Sequence, residues 1–577
     1  MPAGKRRPKV NLPYLIRDRA YMRQEADSDT LTIELATPLQ NYSAIDDGKF
    51  VAGPANDDVV VLDFDPETGQ PEQPMKFVPQ GIGKSISCYE IGYSDLGPDS
   101  EPEEFETQSF IQISTFATVL KILNFFESDD ILGRKVRWGF AADKLAIIPR
   151  AGEAKNAFYD RDNHNLQFYY HTAKKGHRIY TALSHDIVVH EATHAILDGI
   201  APDLFNSILP ESLALHEAIA DISAITQTLL NEMVLFSYDA LTGGVDQDQY
   251  STLTNIAEEF GSDLRVSEDK NYLRRMKNDF CLETMRNKKV AKSLIVKEDD
   301  PHQLSQVLAG SLYAVIEHRM KITVRSSNGM FTTLDAVFIP AARRVARIIF
   351  RALDYMPPGE VSFIDYGRAF VMAATTTYKQ PQKEVKWLKE EYLRRGIIEK
   401  ESDLDSMVDD SLLKVSRAKL NKLVKDNDAA IEFIELNREL FQIPDGVDFV
   451  VLPRFQAHKK IGSRKQNELF IKVSWEEMEK HDIGKKFTQT WAVRKGTTLV
   501  IDLDSNKINR LTTISNSTLT AQRDRMLKKL NKQKRLAIKQ PDLDKNNKQH
   551  ANHILVEAKQ KVMRVQGGMR LLHIVAT

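Results

Sequence analysis

The chain has 577 residues, too many for one hydrophobic core, so roughly two to four domains are expected. Hydrophobic residues make up 42% and charged residues 28%, and the net charge of −1 exerts no global pull toward nucleic acid or a membrane. The two cysteines, Cys88 and Cys281, lie far apart and in no CxxC pair, which excludes a disulfide scaffold and a cysteine-rich metal site. Any metal must be held by His, Asp and Glu.

"MPAGKRRPKVNLPYLIRDRAY" begins basic but has no apolar run behind it, so no Sec signal is expected. No run of about 18 apolar residues is found, so no membrane span is expected and the location is expected to be cytoplasmic. Residues 1–54 read as an N-terminal arm. Residues 55–183 read as a strand-rich lobe, with the β-branched "DVVVLDFD", a helical spacing in "FATVLKILNFFE" and a hairpin of "NAFYD" and "LQFYYH" across "RDNHN". Residues 184–398 read as helical. Ser184 can cap a first helix and Gly199 can end it, and Pro210 starts a second. "PHQLSQVLAGSLYAVIEHRM" starts a third and three more follow. The acidic stretch 399–410 reads as a linker, and 411–577 as a separate mixed α/β domain. Its basic "RMLKKLNKQKRLAIKQ" lacks the interleaved aromatics of a single-strand nucleic-acid binder and reads as a solvated helix. This domain can gate a cleft, dock a substrate or take a regulatory partner, and the sequence does not decide.

The chemistry concentrates in "VVHEATHAILDGI", residues 188–200. On a helix, His190 and His194 stack on one face and can share one ion, while Glu191 stands beside it, placed to take a proton from a metal-bound water. A catalytic zinc needs a third protein ligand and leaves one position for water. "HEAIAD", residues 216–221, offers Glu217 as that ligand, with Asp221 one turn on to accept the free N–H of a ligand histidine. The bland alternative is satisfied histidines on a partly buried helix, with Glu217 and Asp221 on a solvated face.

HExxH followed by ExxxD on the next helix resembles the thermolysin-like zinc peptidases, a branch of the gluzincins, and the resemblance covers about residues 55–398. It implies an α+β zincin, with a β-rich N-terminal lobe and a helical C-terminal lobe, that binds zinc and hydrolyses peptide bonds in peptide or protein substrates. "NAFYD" resembles the family's substrate-binding edge strand, which implies that Asn156 and the Ala157 backbone meet the peptide main chain. "PHQLSQVLAGSLY" resembles the segment with the second catalytic histidine, here His302, with Ser305 and Tyr313 at the expected offsets. Asp299 and Asp300 are placed to hold that imidazole charged. "YLRRM" resembles the substrate-arginine segment and points to Arg274, with Arg265 as a rival.

The chain also departs from the pattern. Ile208 stands where the family usually carries a tyrosine near the oxyanion, and His216 replaces an asparagine beside the third ligand. The expected function is a zinc endopeptidase with Glu191 as general base. The alternative is a catalytically silent or regulatory zinc-binding scaffold.

Overall fold

The computed structural model describes residues 10–16, 39–44, 53–65, 67–75, 105–174, 176–232, 234–235, 254–257, 261, 263, 273–286, 288, 290–326, 333–405, 416–482, 488–514, 516–532, 537–538 and 554–555. Over these residues the chain is a mixed α/β protein. Arg265 and residues 406–410 of the acidic linker lie outside them.

Val10–Leu15 (β1) and Leu39–Ala44 (β2) pair antiparallel, and Leu12, Tyr14 and Leu15 are buried against the helix Gln108–Glu127 (α1). Val59–Val61 (β3), Leu145–Ile148 (β4), Ala157–Asp160 (β5) and Asn165–Phe168 (β6) form one sheet in the order β3-β4-β6-β5. β5 is therefore an edge, joined to β6 by a turn in which the Asp160 carboxylate accepts from the backbone N–H of Asp162 and Asn163. Tyr170–Thr172 (β7) and Arg178–Tyr180 (β8) make a short hairpin that leads into the helical region.

α1 is long and apolar enough to cross a membrane by length and composition, although polar residues interrupt its apolar run. Most of its side chains are instead buried in the protein. Thr115 and Thr118 can be buried because their hydroxyls bond the carbonyls of Ile111 and Ser114 one turn back.

The helices are His185–Ile200 (α2), Pro210–Leu229 (α3), Pro301–Ser326 (α4), Leu334–Tyr355 (α5), Phe363–Thr377 (α6) and Gln382–Arg395 (α7). Ser184 stands at the N-cap of α2 but its side chain makes no capping bond. Gly199 does not end α2. It lies inside the helix, where a Cβ would meet the Arg137 carbonyl at 1.9 Å, so its role is close approach of a neighbouring chain segment.

Beyond residue 416 come Arg417–Lys425 (α8), Asn427–Glu435 (α9) and Arg438–Phe441 (α10), then an antiparallel sheet. The sheet holds Phe449–Val451 (β9), Phe455–Ile461 (β10), Arg464–Asp482 (β11), Thr488–Asp502 (β12) and Ile508–Thr512 (β13). Strand periodicity divides its faces. Leu469, Ile471 and Val473 face a core with Leu420, Phe433 and Phe441 from α8–α10. Phe470 and Val500 face the other way and join the main core, where Phe470 meets the Tyr355 ring. On that face Lys459 is buried against Glu468, and Tyr355 donates to Glu468 at 2.5 Å. The helix Ser517–Lys532 (α11) then lies across the start of α3.

Glu211, in the first turn of α3, is buried where α3, α6 and α11 meet. Its carboxylate accepts from the Phe363 N–H at 2.7 Å and from the Gln522 amide at 2.7 Å. Burial pushes its pKa up to about 7 despite these bonds. A carboxyl raised on folding stabilises below its unfolded pKa, and that contribution is lost as pH rises through the folded value. Glu211→Gln is therefore expected to flatten the fall in stability between about pH 5 and about pH 8, read by urea denaturation across that range.

Candidate metal centre

α2 and α3 pack together and bury one polar cluster in an otherwise apolar contact. His190 and His194 lie one turn apart on α2, and Glu217 faces them from α3. Potential ligand atoms of the three all lie within 4.8 Å of one another. The His190 and His194 Nε2 atoms are 3.1 Å apart, and Glu217 oxygens stand 3.6 and 3.7 Å from them. All three residues are buried.

The far sides of both imidazoles are engaged. His190 Nδ1 meets Asp221 Oδ1 at 2.9 Å, which leaves its Nε2 lone pair facing the cluster. His194 Nδ1 lies 2.5 Å from His216 Nδ1, and the two rings are stacked. Burial drives the His216 pKa down to about 3, so a neutral His216 can accept the His194 proton. His216 thus sits behind His194 and outside the cluster. Its place beside Glu217 gave no sequence signal for which histidine it would meet.

Arg274, on the short strand Arg274–Arg275 that pairs with Asn255–Ile256, donates from one nitrogen to both Asp221 oxygens, at 2.8 and 2.9 Å. The same nitrogen is 3.5 Å from Glu217. Burial works against the Asp221 carboxylate, but Arg274 and His190 outweigh it and hold its pKa below the ordinary value. The arginine is tied to the carboxylate that orients His190.

Glu191 is buried, and its Oε2 has no hydrogen-bond partner among the described residues. Burial pushes its pKa up to about 8, against the pull of His190, and the backbone N–H of Tyr159 also favours the charged form. Tyr159 lies on β5, whose hydrogen bonds alternate between β6 and the open edge. The Asn156 carbonyl accepts from Tyr169, so the N–H groups of Ala157 and Tyr159 point to the open edge. Asn156 Oδ1 meets the Ala157 N–H at 3.0 Å. The Tyr159 hydroxyl donates to Asp198 of α2 at 2.8 Å, which fixes this edge beside the ligand helix. Sequence reasoning passed over Tyr159, whose signal was its place in "NAFYD".

His302 begins α4, with Nε2 3.9 Å from Glu217 and 32% of its side chain exposed, so it can meet a molecule entering from solvent. Asp299 and Asp300 have other employment than expected. Asp300 caps α4 by accepting from the backbone of His302 and Gln303, and Asp299 pairs with Lys529 at 3.3 Å. Ser305 donates to the His302 carbonyl at 2.9 Å. Ile208 is buried in a cluster with Trp491, Val493 and Leu527, so its side chain faces the C-terminal segment.

Two imidazole nitrogens and a carboxylate converging at these distances fit a divalent cation. The local charges agree, since among the described residues Arg274 is the one arginine or lysine paired with Glu217 and Asp221. Without a cation a proton takes its place. Burial opposes charge on His190, but Asp221 and Glu217 outweigh it and lift its pKa to about 10.

Neither a protein-family model nor a curated protein sequence matches the chain. Among solved structures, the precursor of protealysin, a metalloproteinase from Serratia proteamaculans, aligns over 66% of this chain and 98% of that one, at 13% identity and a TM-score of 0.33. At that TM-score the backbones differ too much for residues to be transferred between them. The role of each side chain rests on its own surroundings in this chain.

Proposed function

We propose that the chain is a zinc-dependent endopeptidase of thermolysin-like architecture, acting in the cytoplasm on peptide or protein substrates. His190, His194 and Glu217 hold the ion, and Asp221 orients His190. One observation carries the proposal. Glu191, a buried carboxylate with a bare Oε2, stands between the three-residue cluster and the open edge of β5. A purely structural metal site has no use for such a group.

A bound zinc would supply a water of lowered pKa and polarise the scissile carbonyl. Glu191 would serve as general base and then general acid, accepting a proton at its carboxylate and passing it to the leaving amine. A buried carboxyl beside the open edge of β5 is placed to accept a proton and return it. An extended substrate adds to the edge of β5, with Asn156 and the Ala157 backbone bonding its main chain. His302 donates to the developing oxyanion. Arg274 completes the pocket by holding Asp221 and bonding a substrate carbonyl. The region beyond residue 410 is a surface for a regulatory partner.

The second reading, a silent scaffold with the same site, draws support from Ile208. The position that would carry an oxyanion tyrosine is instead covered by Trp491 and Leu527. The test is incubation of the full chain with an unbiased peptide library. Internal cleavage that stops with 1,10-phenanthroline and returns with added zinc supports the peptidase. A zinc-loaded chain that cleaves nothing supports the scaffold.

A further inference from the structure

α11 touches both segments that position the site, and its partners Glu298 and Asp299 lie 227 and 230 residues away in sequence. Leu527 packs on Ile208, just before α3, while Met526 and Leu530 pack on Leu213. Leu213 lies one turn before Glu217 on the same helix. On another side of α11 the guanidinium of Arg525 pairs with Glu298. One turn on, the Lys529 ammonium donates to the Asp299 carbonyl at 2.7 Å and stands 3.3 Å from its carboxylate.

Glu298 and Asp299 are the two residues before Asp300, which caps α4, and His302 follows at the second position of that helix. Glu298 is itself buried and also accepts from the Glu283 N–H at 3.0 Å. Two residues before Arg525, Arg523 pairs with Glu360 at 2.6 Å, and that carboxylate accepts from the Ile208 N–H at 3.2 Å. One helix therefore holds the entry to α3 by apolar packing and the entry to α4 by charge-assisted bonds. His302 and Glu217 lie on those two helices, 3.9 Å apart.

Resting on the peptidase reading, we propose that α11 is a strut that sets His302 against Glu217, with Arg525 and Lys529 as positioning residues for the proposed reaction. Neither residue touches substrate or ion. A ligand histidine is fixed by its own helix, but His302 is partly exposed and depends on where the loop at 298–300 is held. An oxyanion donor displaced by about 1 Å loses on the order of 10²-fold in rate, so loosening this loop acts on turnover and spares metal binding.

The test uses the full chain with Lys529→Met, Arg525→Met and the conservative Lys529→Arg. Lys532→Met, an exposed position on the same helix, is the control. Three readouts are taken together: zinc content, kcat and KM on a cleaved peptide, and amide hydrogen exchange of the peptide spanning 297–306. The strut predicts faster exchange in that peptide for Lys529→Met and Arg525→Met. It also predicts a roughly 10-fold fall in kcat with KM and zinc content unchanged, recovery in Lys529→Arg, and no change in Lys532→Met. Unchanged exchange in both Met variants overturns the strut, whether or not the protein cleaves anything. Faster exchange with undiminished kcat overturns the claim that it positions His302. Faster exchange in a protein whose wild type cleaves nothing keeps the mechanical strut and removes the peptidase reading.

Discussion

Glu191→Gln is expected to lower peptide cleavage by ~10²–10⁴-fold while zinc content and thermal stability stay near wild type. The amide has nearly the same size and keeps an oxygen to accept from the Tyr159 N–H, so the fold has little reason to change. What it loses is the capacity to take a proton. Glu191 Oε2 makes no hydrogen bond among the described residues, so the substitution removes none at that atom. Removal of a buried carboxylate from among Glu217 and Asp221 relieves repulsion and can even raise stability slightly. Steady-state kinetics, metal analysis and a thermal melt on the same preparation check the result. Undiminished cleavage by the variant would mean that another group acts as the base.

Asp221→Ala is expected to have the second large effect, on both metal affinity and stability. Asp221 is buried and serves two partners, accepting from His190 Nδ1 at 2.9 Å and from Arg274 at 2.8 and 2.9 Å. Without it His190 loses the acceptor that fixes its tautomer, which costs ~10–100-fold in metal affinity. Arg274 is left with Glu217, 3.5 Å away, as its other carboxylate in the cluster. Losing one partner of a buried pair typically costs about 3–5 kcal/mol. Asp221→Asn keeps an acceptor oxygen for one partner and is expected to fall between. Competition against a zinc chelator measures the first effect and urea denaturation the second. A zinc affinity unchanged in Asp221→Ala would show that His190 is oriented by something else.

The α2–α3 pair was legible in the sequence because helix periodicity is local. Two histidines four apart must share a face, and Glu217 and Asp221 repeat that spacing on a second helix. The hairpin of β5 and β6 was legible for a like reason, as two strand-like runs across a short polar turn. Gly199 was misjudged because a helix-ending glycine and one that admits a neighbouring backbone leave the same letter, and only the Arg137 carbonyl distinguishes them. Asp299 and Asp300 were misjudged because their neighbour in sequence, His302, was the visible partner. Lys529, the partner Asp299 takes, lies 230 residues away. The packing of Trp491 and Leu527 on Ile208 left no trace either, since pairing across such a separation has no periodic signature. The basic stretch that begins at Arg525 reads as a solvated helix by composition, and its apolar residues Met526, Leu527 and Leu530 carry the buried face.

The most direct measurement is the metal content of the purified full chain and of His194→Ala, by element-resolved mass spectrometry after dialysis into metal-free buffer. The convergence of His190, His194 and Glu217 predicts close to one zinc per wild-type chain and a loss of it in the variant. A wild-type chain that holds no divalent metal, even after incubation with zinc, would contradict the account.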